Sequence, residues 1–456
     1  MEMNTELLKG KKHIHFIGIG GSGMFPLVQI LHKMGYYITG SDNNPGDTLT
    51  YEHETLGIPV YMGQRAENIQ GADLIVHTAA IMEDNPELIA AKQSGVPLLE
   101  RSQLLGMVTQ WFSNSICIAG THGKTTTSAM LTQILLESGK DPSAVIGGKL
   151  PAIDGSGRLG NSDIMVCEAC EFVDTFLSLS PDVAVILNID ADHLDYFKTL
   201  ENIIRSFHKF ASMATKTVIY NGDDGNVQKA MEGVAVPRQI TYGNSPKNDY
   251  YPVNIVHYQG GKCSYDLMHQ GSLVDHVRLS IPGSHNVLNS VAAIAAALEV
   301  GAPARQAIAA ADSFKGAARR FEILGTKNGV TIADDYAHHP AEVEATLLAA
   351  REMGFKQVWA VHQPFTYSRT AMLLEDFARV LSIADHVVLS EIMGSREKNT
   401  YNIYAKDLAE KIPGCVWFPT FEEMADYVMS KAQPGDLVIT MGCGDVYKCA
   451  KMMLGK

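Results

Sequence analysis

Short apolar segments rich in isoleucine and valine recur along the chain, and each is followed by small or polar residues and then by a stretch with helical periodicity. This alternation is typical of parallel sheets that are covered by helices. We therefore predict strands within the clearest of these segments, which are 13–20, 37–42, 72–80, 115–120, 164–170, 183–189, 330–336, 357–364, 386–392 and 436–444.

The pattern changes between Arg238 and Ile281. There, alternating segments follow one another closely and are separated by glycine turns such as Gln259-Gly260-Gly261, which predicts a small antiparallel sheet. Because domains usually hold about 100 to 200 residues, a chain of 456 residues needs more than one core. We predict an α/β protein with three domains, at 1–107, 108–318 and 319–456, and we place the antiparallel sheet in the central one.

Net charge and the length of the apolar runs argue against two classes of partner. The chain has 37 basic and 50 acidic residues and a net charge of -13, so we expect no nucleic acid partner. No apolar run reaches the roughly 18 residues of a membrane span, so we expect no membrane partner. The 7 cysteines are scattered and the first twelve residues do not resemble a signal peptide, which together predict a cytoplasmic protein.

A phosphate-binding loop is the strongest local motif. Gly120-Thr-His-Gly123-Lys124-Thr125-Thr126-Thr127 follows an apolar strand and begins a predicted helix. In such a loop, backbone N–H groups hold phosphate oxygens, the lysine neutralises charge, and the threonine after it can bind Mg²⁺. Ile118 stands where the general pattern has its first glycine, so the loop is a shorter variant. The alternative is an ordinary helix start.

A second glycine-rich turn, Gly18-Ile-Gly20-Gly21-Ser22-Gly23, follows the first predicted strand, and Asp42 ends the next one. This pattern is a dinucleotide fingerprint that predicts a bound pyrophosphate and a carboxylate at the ribose. It leaves an NAD(P)-dependent dehydrogenase open as an alternative. However, the same geometry can hold any nucleotide diphosphate, and the later phosphate loop indicates two phosphorylated ligands, ATP and one other.

Acidic and imidazole residues cluster after later strands. Glu168 and Glu171 follow one strand, and Asn188-Ile-Asp190-Ala-Asp192-His193 follows another. The carboxyl ends of parallel strands line a ligand crevice, and Mg²⁺ prefers oxygen ligands. Further clusters are Ser284-His285-Asn286 with Asn289, Arg319-Arg320, and Asp334-Asp335-Tyr-Ala-His338-His339. Helix caps and a solvated loop are the alternatives for these clusters.

Taken together, these motifs resemble those of the Mur ligase family, over essentially the whole chain. The resemblance also includes Gln363-Pro364 and Tyr367-Ser-Arg369-Thr370. It implies an N-terminal Rossmann-like UDP-binding domain, a central ATPase-type domain that contains the phosphate loop, and a C-terminal Rossmann-like domain that helps to bind an amino acid.

The resemblance also implies a reaction. The histidine before Gly-Lys-Thr, His122, resembles the one found at this position in one branch of the family. That branch ligates L-alanine to the lactyl carboxylate of UDP-N-acetylmuramate in peptidoglycan biosynthesis. ATP and Mg²⁺ would be required, an acyl phosphate would form, and the protein would be a monomer or homodimer. Phosphorylation of the carboxylate is chemically reasonable, because a carboxylate is a poor electrophile.

The resemblance implies site residues by group. The catalytic residues would be Lys124, Glu168 and His193, and the metal ligands Thr125, Glu168 and His193. The ATP-binding residues would be Gly120, Thr121, His122, Gly123, Lys124, Thr125, Thr126, Asn286, Asn289, Arg320 and Asp335. The UDP-sugar would contact Gly20, Gly21, Ser22, Gly23, Asp42, Thr78 and Arg101, and the amino acid would contact Tyr336, His338 and Arg369.

Two segments depart from the family pattern. Cys170 stands where many relatives have Asp, with Phe172-Val173 where they have Ser-Asp, and Phe365-Thr366 stands where many have His-Arg. The second departure removes one arginine of the amino-acid pocket, and glycine or serine remain possible acceptors. A recycling ligase that attaches a preformed peptide, and a non-catalytic nucleotide-binding regulator, remain as further alternatives.

Overall fold

The computed structural model describes residues 8–21, 23–79, 81–395 and 397–456. By their internal contacts these residues group into two compact units. The first comprises the described part of 1–250 together with 292–307, and the second comprises 251–291 together with the described part of 308–456.

The first unit begins with a five-stranded parallel sheet in the order β3-β2-β1-β4-β5. Its strands are β1 (His13–Ile17), β2 (Tyr37–Asp42), β3 (Val60–Met62), β4 (Leu74–His77) and β5 (Leu98–Glu100). Its helices are α1 (Phe25–Lys33), α2 (Asp47–Thr50), α3 (Pro86–Gln93) and α4 (Arg101–Thr109). This order is that of one half of a Rossmann fold. The strands after β1 are added first on one side of it, as β2 and β3, and then on the other, as β4 and β5. In such folds the ligand crevice lies between the two strands at this switch, here β1 and β4.

A second, largely parallel sheet follows in the same unit, with the order β12-β11-β10-β6-β9-β7-β8 and one antiparallel pair, β7 with β8. Its strands are β6 (Asn114–Ala119), β7 (Ser143–Leu150), β8 (Gly155–Arg158), β9 (Ile164–Glu168), β10 (Val183–Ile186), β11 (Thr217–Asn221) and β12 (Arg238–Tyr242). The helices here are α5 (Lys124–Glu137), α6 (Leu194–Phe197), α7 (Leu200–Ser212) and α8 (Gly225–Met231). The central strands are almost fully buried, which explains their continuous apolar sequences.

Most of the next strand belongs to the second unit, which continues with β13 (Tyr250–His257), β14 (Cys263–His269) and β15 (Ser272–Arg278). The predicted antiparallel pairing is present between β14 and β15. By contrast β12, which lies in the same predicted segment, pairs in parallel with β11. Two helices, α9 (His285–Glu299) and α10 (Ala304–Ser313), follow.

The remaining chain forms a third sheet in the order β16-β17-β21-β18-β19-β20, parallel except for the β16–β17 pair. The strands are β16 (Glu322–Lys327), β17 (Val330–Asp335), β18 (Val358–His362), β19 (His386–Leu389), β20 (Val416–Trp417) and β21 (Leu437–Met441). The helices are α11 (Pro340–Glu352), α12 (Tyr367–Met372), α13 (Leu374–Leu381), α14 (Ala405–Ala409), α15 (Phe421–Lys431) and α16 (Tyr447–Leu454). Apolar side chains cover both faces of this sheet.

Each segment that the sequence predicts to contain a strand does contain one, which confirms the α/β class. Most of the observed strands end before the glycines and polar residues that close the predicted segments, because those residues form turns, whereas β2 and β17 include Asp42 and Asp335. Ala80, at the end of one predicted segment, lies outside the described residues. Among the described residues, no helix combines the length and the apolar character needed to cross a membrane.

Candidate active site

The glycine-rich turn after β1 approaches three other segments of the N-terminal sheet. Gly18 has φ +83°, and a Cβ there would lie 2.7 Å from the Thr78 side chain. The N–H of Gly20 donates to Oδ2 of Asp42 at 3.1 Å, and a Cβ at Gly23 would lie 3.3 Å from Arg101. The turn, Asp42, Thr78 and Arg101 are therefore neighbours at the crevice between β1 and β4. Ser22 lies outside the described residues.

The position of Arg101 follows from a local signal. It is the first residue of α4, whose N-cap Glu100 accepts from the N–H of Ser102 while Gln103 accepts from the N–H of Glu100. This reciprocal arrangement fixes the start of a helix.

The phosphate loop connects β6 to α5 through two glycines with positive φ, Gly120 at +149° and Gly123 at +86°. A Cβ at Gly120 would lie 2.8 Å from Leu187, so a larger residue does not fit. Asn188 holds the loop through its side chain, which accepts from the N–H of His122 at 2.8 Å and donates to the carbonyl of His122 at 3.0 Å. The first N–H groups of α5 have no partner within the helix, as at any helix start.

Lys124 is the first residue of α5, and its ammonium is held from several sides. It lies 2.9 Å and 3.1 Å from the two carboxylate oxygens of Glu171 and donates to the carbonyl of Thr121 at 3.1 Å. Burial alone would lower the pKa of Lys124, but the charge of Glu171 raises it. Lys124 is therefore a cation fixed beside the phosphate loop.

Cys170 also lies close to Lys124. Burial raises the pKa of its thiol to about 11, with a further contribution from Glu171. Cys170 is therefore neutral at physiological pH, and among the described residues the carboxylate bonded to Lys124 is that of Glu171.

Glu168 ends β9 and faces the first turn of α5. Its carboxylate accepts from the N–H of Gly147 at 2.8 Å and from the hydroxyls of Thr125 at 3.2 Å and Ser128 at 3.4 Å. A Cβ at Gly147 would lie 2.5 Å from this carboxylate, so only glycine leaves space for it. The predicted metal ligands Thr125 and Glu168 are thus adjacent, and their oxygens are of the type that Mg²⁺ prefers.

The acidic segment after β10 contacts both the loop and the Glu171 segment. The N–H of Asp190 donates to the hydroxyl of Thr121 at 2.8 Å, and a ring nitrogen of His122 lies 3.7 Å from Asp190. His193 has φ +52°, and its ring centroid lies 4.8 Å from that of Phe172. The structure therefore brings the segment that carries His193 to the same edge of the sheet as Lys124.

The other predicted ATP-binding residues belong to the second unit. Asn286 and Asn289 are almost fully buried on the first turns of α9, with an amide hydrogen bond of 2.9 Å between them. Asp335 ends β17 and accepts from the N–H groups of Phe321 and Ala337, both at 2.7 Å. Burial raises the pKa of Asp335 to about 6, although Arg320 lowers it.

The residues predicted to bind the amino acid also lie together in this unit. The ring centroids of Tyr336 and His338 are 5.6 Å apart, and the Phe365 ring lies edge-on to His338 at 6.2 Å. Arg369 has a guanidinium nitrogen 3.5 Å from the Phe365 carbonyl. Phe365, one of the two departures from the family pattern, therefore packs directly against the predicted pocket.

The structure adds residues that sequence reasoning left without a role. One of them is Glu171, described above. Another is Arg319, which donates to Asp334 at 2.8 Å and to the Gly442 carbonyl at 2.7 Å. Its guanidinium also stacks on Tyr336 at 5.0 Å and on Tyr447 at 4.8 Å. The Arg319-Arg320 pair was visible in the sequence, but the distant partners were not.

Three protein-family models match the chain. They are the Mur ligase family catalytic domain at 13–112, the Mur ligase middle domain at 118–297, and the Mur ligase glutamate ligase domain at 319–444.

Full-length relatives are similar as well. The chain is 46% identical over 451 residues to a UDP-N-acetylmuramate–L-alanine ligase of Agathobacter rectalis, covering 97% of this chain and 98% of the relative. It is 42% identical over 450 residues to the protein of the same name from Acetivibrio thermocellus, covering 97% and 96%.

Two solved structures are similar over almost their whole length. The UDP-N-acetylmuramate-alanine ligase of Thermotoga maritima matches with a TM-score of 0.82 and 26% identity, covering 98% of both chains. A murein peptide ligase of Psychrobacter arcticus matches with a TM-score of 0.76 and 25% identity, covering 97% of this chain and 98% of the other.

Proposed function

This chain belongs to the Mur ligase family, and from that premise we propose that it ligates L-alanine to the lactyl carboxylate of UDP-N-acetylmuramate with ATP, in peptidoglycan biosynthesis. The observation that carries the choice of substrates is the identity of 46% over nearly the full length with a relative named for this reaction. We further propose that the protein acts in the cytoplasm as a monomer or homodimer.

The N-terminal crevice supports the nucleotide-sugar half of the proposal. Backbone N–H groups of a glycine turn and a nearby arginine suit a pyrophosphate, and a carboxylate at the end of β2 suits ribose hydroxyls. We assign the UDP-sugar to Gly20, Gly21, Ser22, Gly23, Asp42, Thr78 and Arg101.

The phosphate loop supports the ATP half. Lys124 is a fixed cation beside the N-terminus of α5, and both features favour bound phosphate. We assign ATP to Gly120, Thr121, His122, Gly123, Lys124, Thr125 and Thr126, and, in the second unit, to Asn286, Asn289, Arg320 and Asp335.

The donor set beside the loop fits a hard divalent cation, because the carboxylate of Glu168 and the hydroxyl of Thr125 are adjacent oxygen donors. We propose that Thr125 and Glu168 hold one Mg²⁺ and that His193 holds a second. When bound, such ions would supply positive charge that stabilises the phosphoryl group during transfer.

The proposed ligation has two steps, phosphoryl transfer and amide formation. A carboxylate oxygen of the sugar substrate forms a bond to the γ-phosphorus, the bond from that phosphorus to ADP breaks, and an acyl phosphate results. The amine of L-alanine then attacks the acyl carbon, inorganic phosphate leaves, and the amine loses a proton. Lys124 stabilises the charge on the transferring group. Tyr336, His338 and Arg369 would bind the amino acid, since the guanidinium can make two parallel hydrogen bonds to its carboxylate.

A second candidate is a ligase for a preformed peptide, because the murein peptide ligase of Psychrobacter arcticus shares the fold. Phe365-Thr366 also departs from the His-Arg of many relatives at the predicted pocket. This candidate requires a pocket for a longer acceptor than L-alanine.

One assay tests both candidates. Phosphate release from ATP and Mg²⁺ is measured with UDP-N-acetylmuramate and with L-alanine, glycine, L-serine or L-Ala-γ-D-Glu-meso-diaminopimelate, and the product is analysed by mass. We expect release that needs both the UDP-sugar and L-alanine, with a product heavier by one alanyl residue. Preference for the tripeptide would favour the second candidate. If no acceptor gave phosphate release, both candidate functions would be contradicted. The dehydrogenase and the non-catalytic regulator would then be the hypotheses to test.

A further inference from the structure

The loop after β19 is joined to the segment that begins α12. Met393 donates its N–H to the Pro364 carbonyl at 2.9 Å and forms an isolated parallel bridge with Phe365. Ile392 and Ile403, at the two ends of the loop, are buried and pack with Tyr367 of the helix. The described residues of this loop therefore pack against the start of α12 within the second unit.

Glu397 of this loop makes the polar part of that junction. Its carboxylate accepts from the hydroxyl of Thr366 at 2.8 Å, from the N–H of Ser368 at 2.8 Å, and from the hydroxyl of Ser368. Burial works against ionisation, but these hydrogen bonds, with the charge of Arg369, lower the pKa of Glu397. An ionised carboxylate that accepts several hydrogen bonds makes strong contacts.

Glu397 caps the start of α12 from another segment of the chain, because the helix has no side-chain cap of its own. The helix has 6 residues, and its N-cap residue Thr366 makes no side-chain capping bond of its own. Such a short helix has little stability by itself, and an unpaired N–H at its start is unfavourable. Glu397 satisfies the N–H of Ser368, which directly precedes Arg369 in the first turn.

We propose that Glu397 is a positioning residue that acts through Arg369 and makes the protein select acceptors with a free α-carboxylate. This inference rests on the proposed function, in which Arg369 binds the carboxylate of the acceptor. Thr366, the N-cap residue of α12, donates its hydroxyl to Glu397 as well, so this carboxylate holds both sides of the helix start. The guanidinium of Arg369 is the cation of the predicted pocket, and Glu397 orients this guanidinium.

The test compares Glu397→Gln with Glu391→Gln, a matched change at an exposed residue of the same loop. Steady-state constants are measured with L-alanine and with L-alaninamide, which has no carboxylate charge. For Glu397→Gln we expect the KM for L-alanine to rise about tenfold, equivalent to about 1.4 kcal/mol. The KM for ATP and the kcat/KM for L-alaninamide should stay within about twofold of the wild type, and Glu391→Gln should resemble the wild type throughout.

A double-variant comparison separates positioning from general damage. If Glu397 acts through Arg369, Arg369→Ala combined with Glu397→Gln should be no worse with L-alanine than Arg369→Ala alone. Glu397→Asp, which keeps the charge, should retain more activity than Glu397→Gln and serves if the latter unfolds.

Additive losses, or equal losses with both acceptors, would overturn the inference and leave the proposed function intact. A wild-type protein that shows no L-alanine-dependent release would instead overturn the proposed function.

Discussion

At the scale of single residues, the buried pair of Lys124 and Glu171 shows how one contact serves both stability and chemistry. The two side chains are 14% and 3% exposed, so each charge depends on the other for compensation. Burying one charge without its partner costs several kcal/mol. The same pair holds the lysine beside the phosphate loop.

Glu171→Gln should lower the free energy of unfolding by about 3 kcal/mol, because the Lys124 ammonium loses its counter-charge in the interior. Urea unfolding measures this effect, with the exposed Glu232→Gln as control. Lys124→Met combined with Glu171→Gln should cost less than the sum of the two single changes. A Glu171→Gln variant as stable as the wild type would contradict the buried pair.

Glu52 is the opposite case, a buried carboxyl without compensation. Neither of its oxygens has a hydrogen-bond partner among the described residues. Burial, with a contribution from Asp42, raises the pKa of Glu52 to about 8. The carboxyl is therefore mostly protonated in the folded state at neutral pH, while it ionises at about 4.5 when unfolded.

The sign of the effect on stability follows from this difference. Below about pH 4.5 both states are protonated, and Glu52 adds no pH dependence. Between about pH 5 and 8 the unfolded state binds fewer protons, so stability falls by about 1.4 kcal/mol per pH unit through this group. Above about pH 8 the folded state ionises as well, and the decline ends.

Glu52→Gln should remove this decline. Thermal unfolding at pH 5, 7 and 9 should show the variant gaining stability relative to the wild type as the pH rises. The matched change Glu54→Gln, at an exposed neighbour, should keep the wild-type profile. Parallel profiles for Glu52→Gln and the wild type would exclude a raised pKa at Glu52.

At the scale of elements, glycines decide which strand ends can carry a carboxylate close to the backbone. Gly147 in β7 donates its N–H to Glu168 at the end of β9, and a Cβ there would displace the carboxylate. The pairing of β7 with β9 is parallel, which brings the two positions together. The carboxylate of Glu168, which we propose binds Mg²⁺, therefore depends on a glycine in the adjacent strand.

Gly147→Ala should raise the Mg²⁺ concentration needed for half-maximal phosphate release by about tenfold, as changes around metal ligands commonly do. Gly225→Ala is the control, because a Cβ at Gly225 meets nothing within 4 Å. The measurement is a Mg²⁺ titration at saturating ATP. An unchanged Mg²⁺ requirement in Gly147→Ala would argue against Glu168 as a metal ligand.

At the scale of the whole molecule, the chain carries two glycine turns that we propose bind phosphate, on different sheets of the first unit, after β1 and after β6. Each turn has its own cation, Arg101 for the first and Lys124 for the second. The two nucleotide ligands should therefore stabilise the protein independently. A ligand at 100 times its Kd adds about 2.7 kcal/mol to the free energy of unfolding.

Thermal unfolding with UDP-N-acetylmuramate or with Mg-ADP tests this separation. Arg101→Ala should lose the stabilisation by the UDP-sugar and keep that by ADP, while Lys124→Ala should show the reverse. Each variant acts as the control for the other. Loss of both responses in either variant would contradict two separate sites.

The sequence by itself determined the α/β class and the two glycine turns. These features are local, because each motif consists of a strand, a turn and the start of a helix that follow one another within a few residues. The positive φ angles of Gly120 and Gly123 show why the turn needs glycine there. The contacts around Lys124 and Thr125 were predictable in part, since the loop motif and the acidic strand end at Glu168 were both visible.

Only the tertiary structure decided which distant side chains meet. Glu171 lies 47 positions from Lys124, Asn188 lies 66 from His122, and Glu397 lies 29 from Ser368. The parallel pairing of β12 with β11 likewise differs from the antiparallel sheet that local alternation predicted there. Strand order and register fix these contacts, and both arise from packing across the whole sheet, whereas the sequence pattern along one segment records only that segment's own burial.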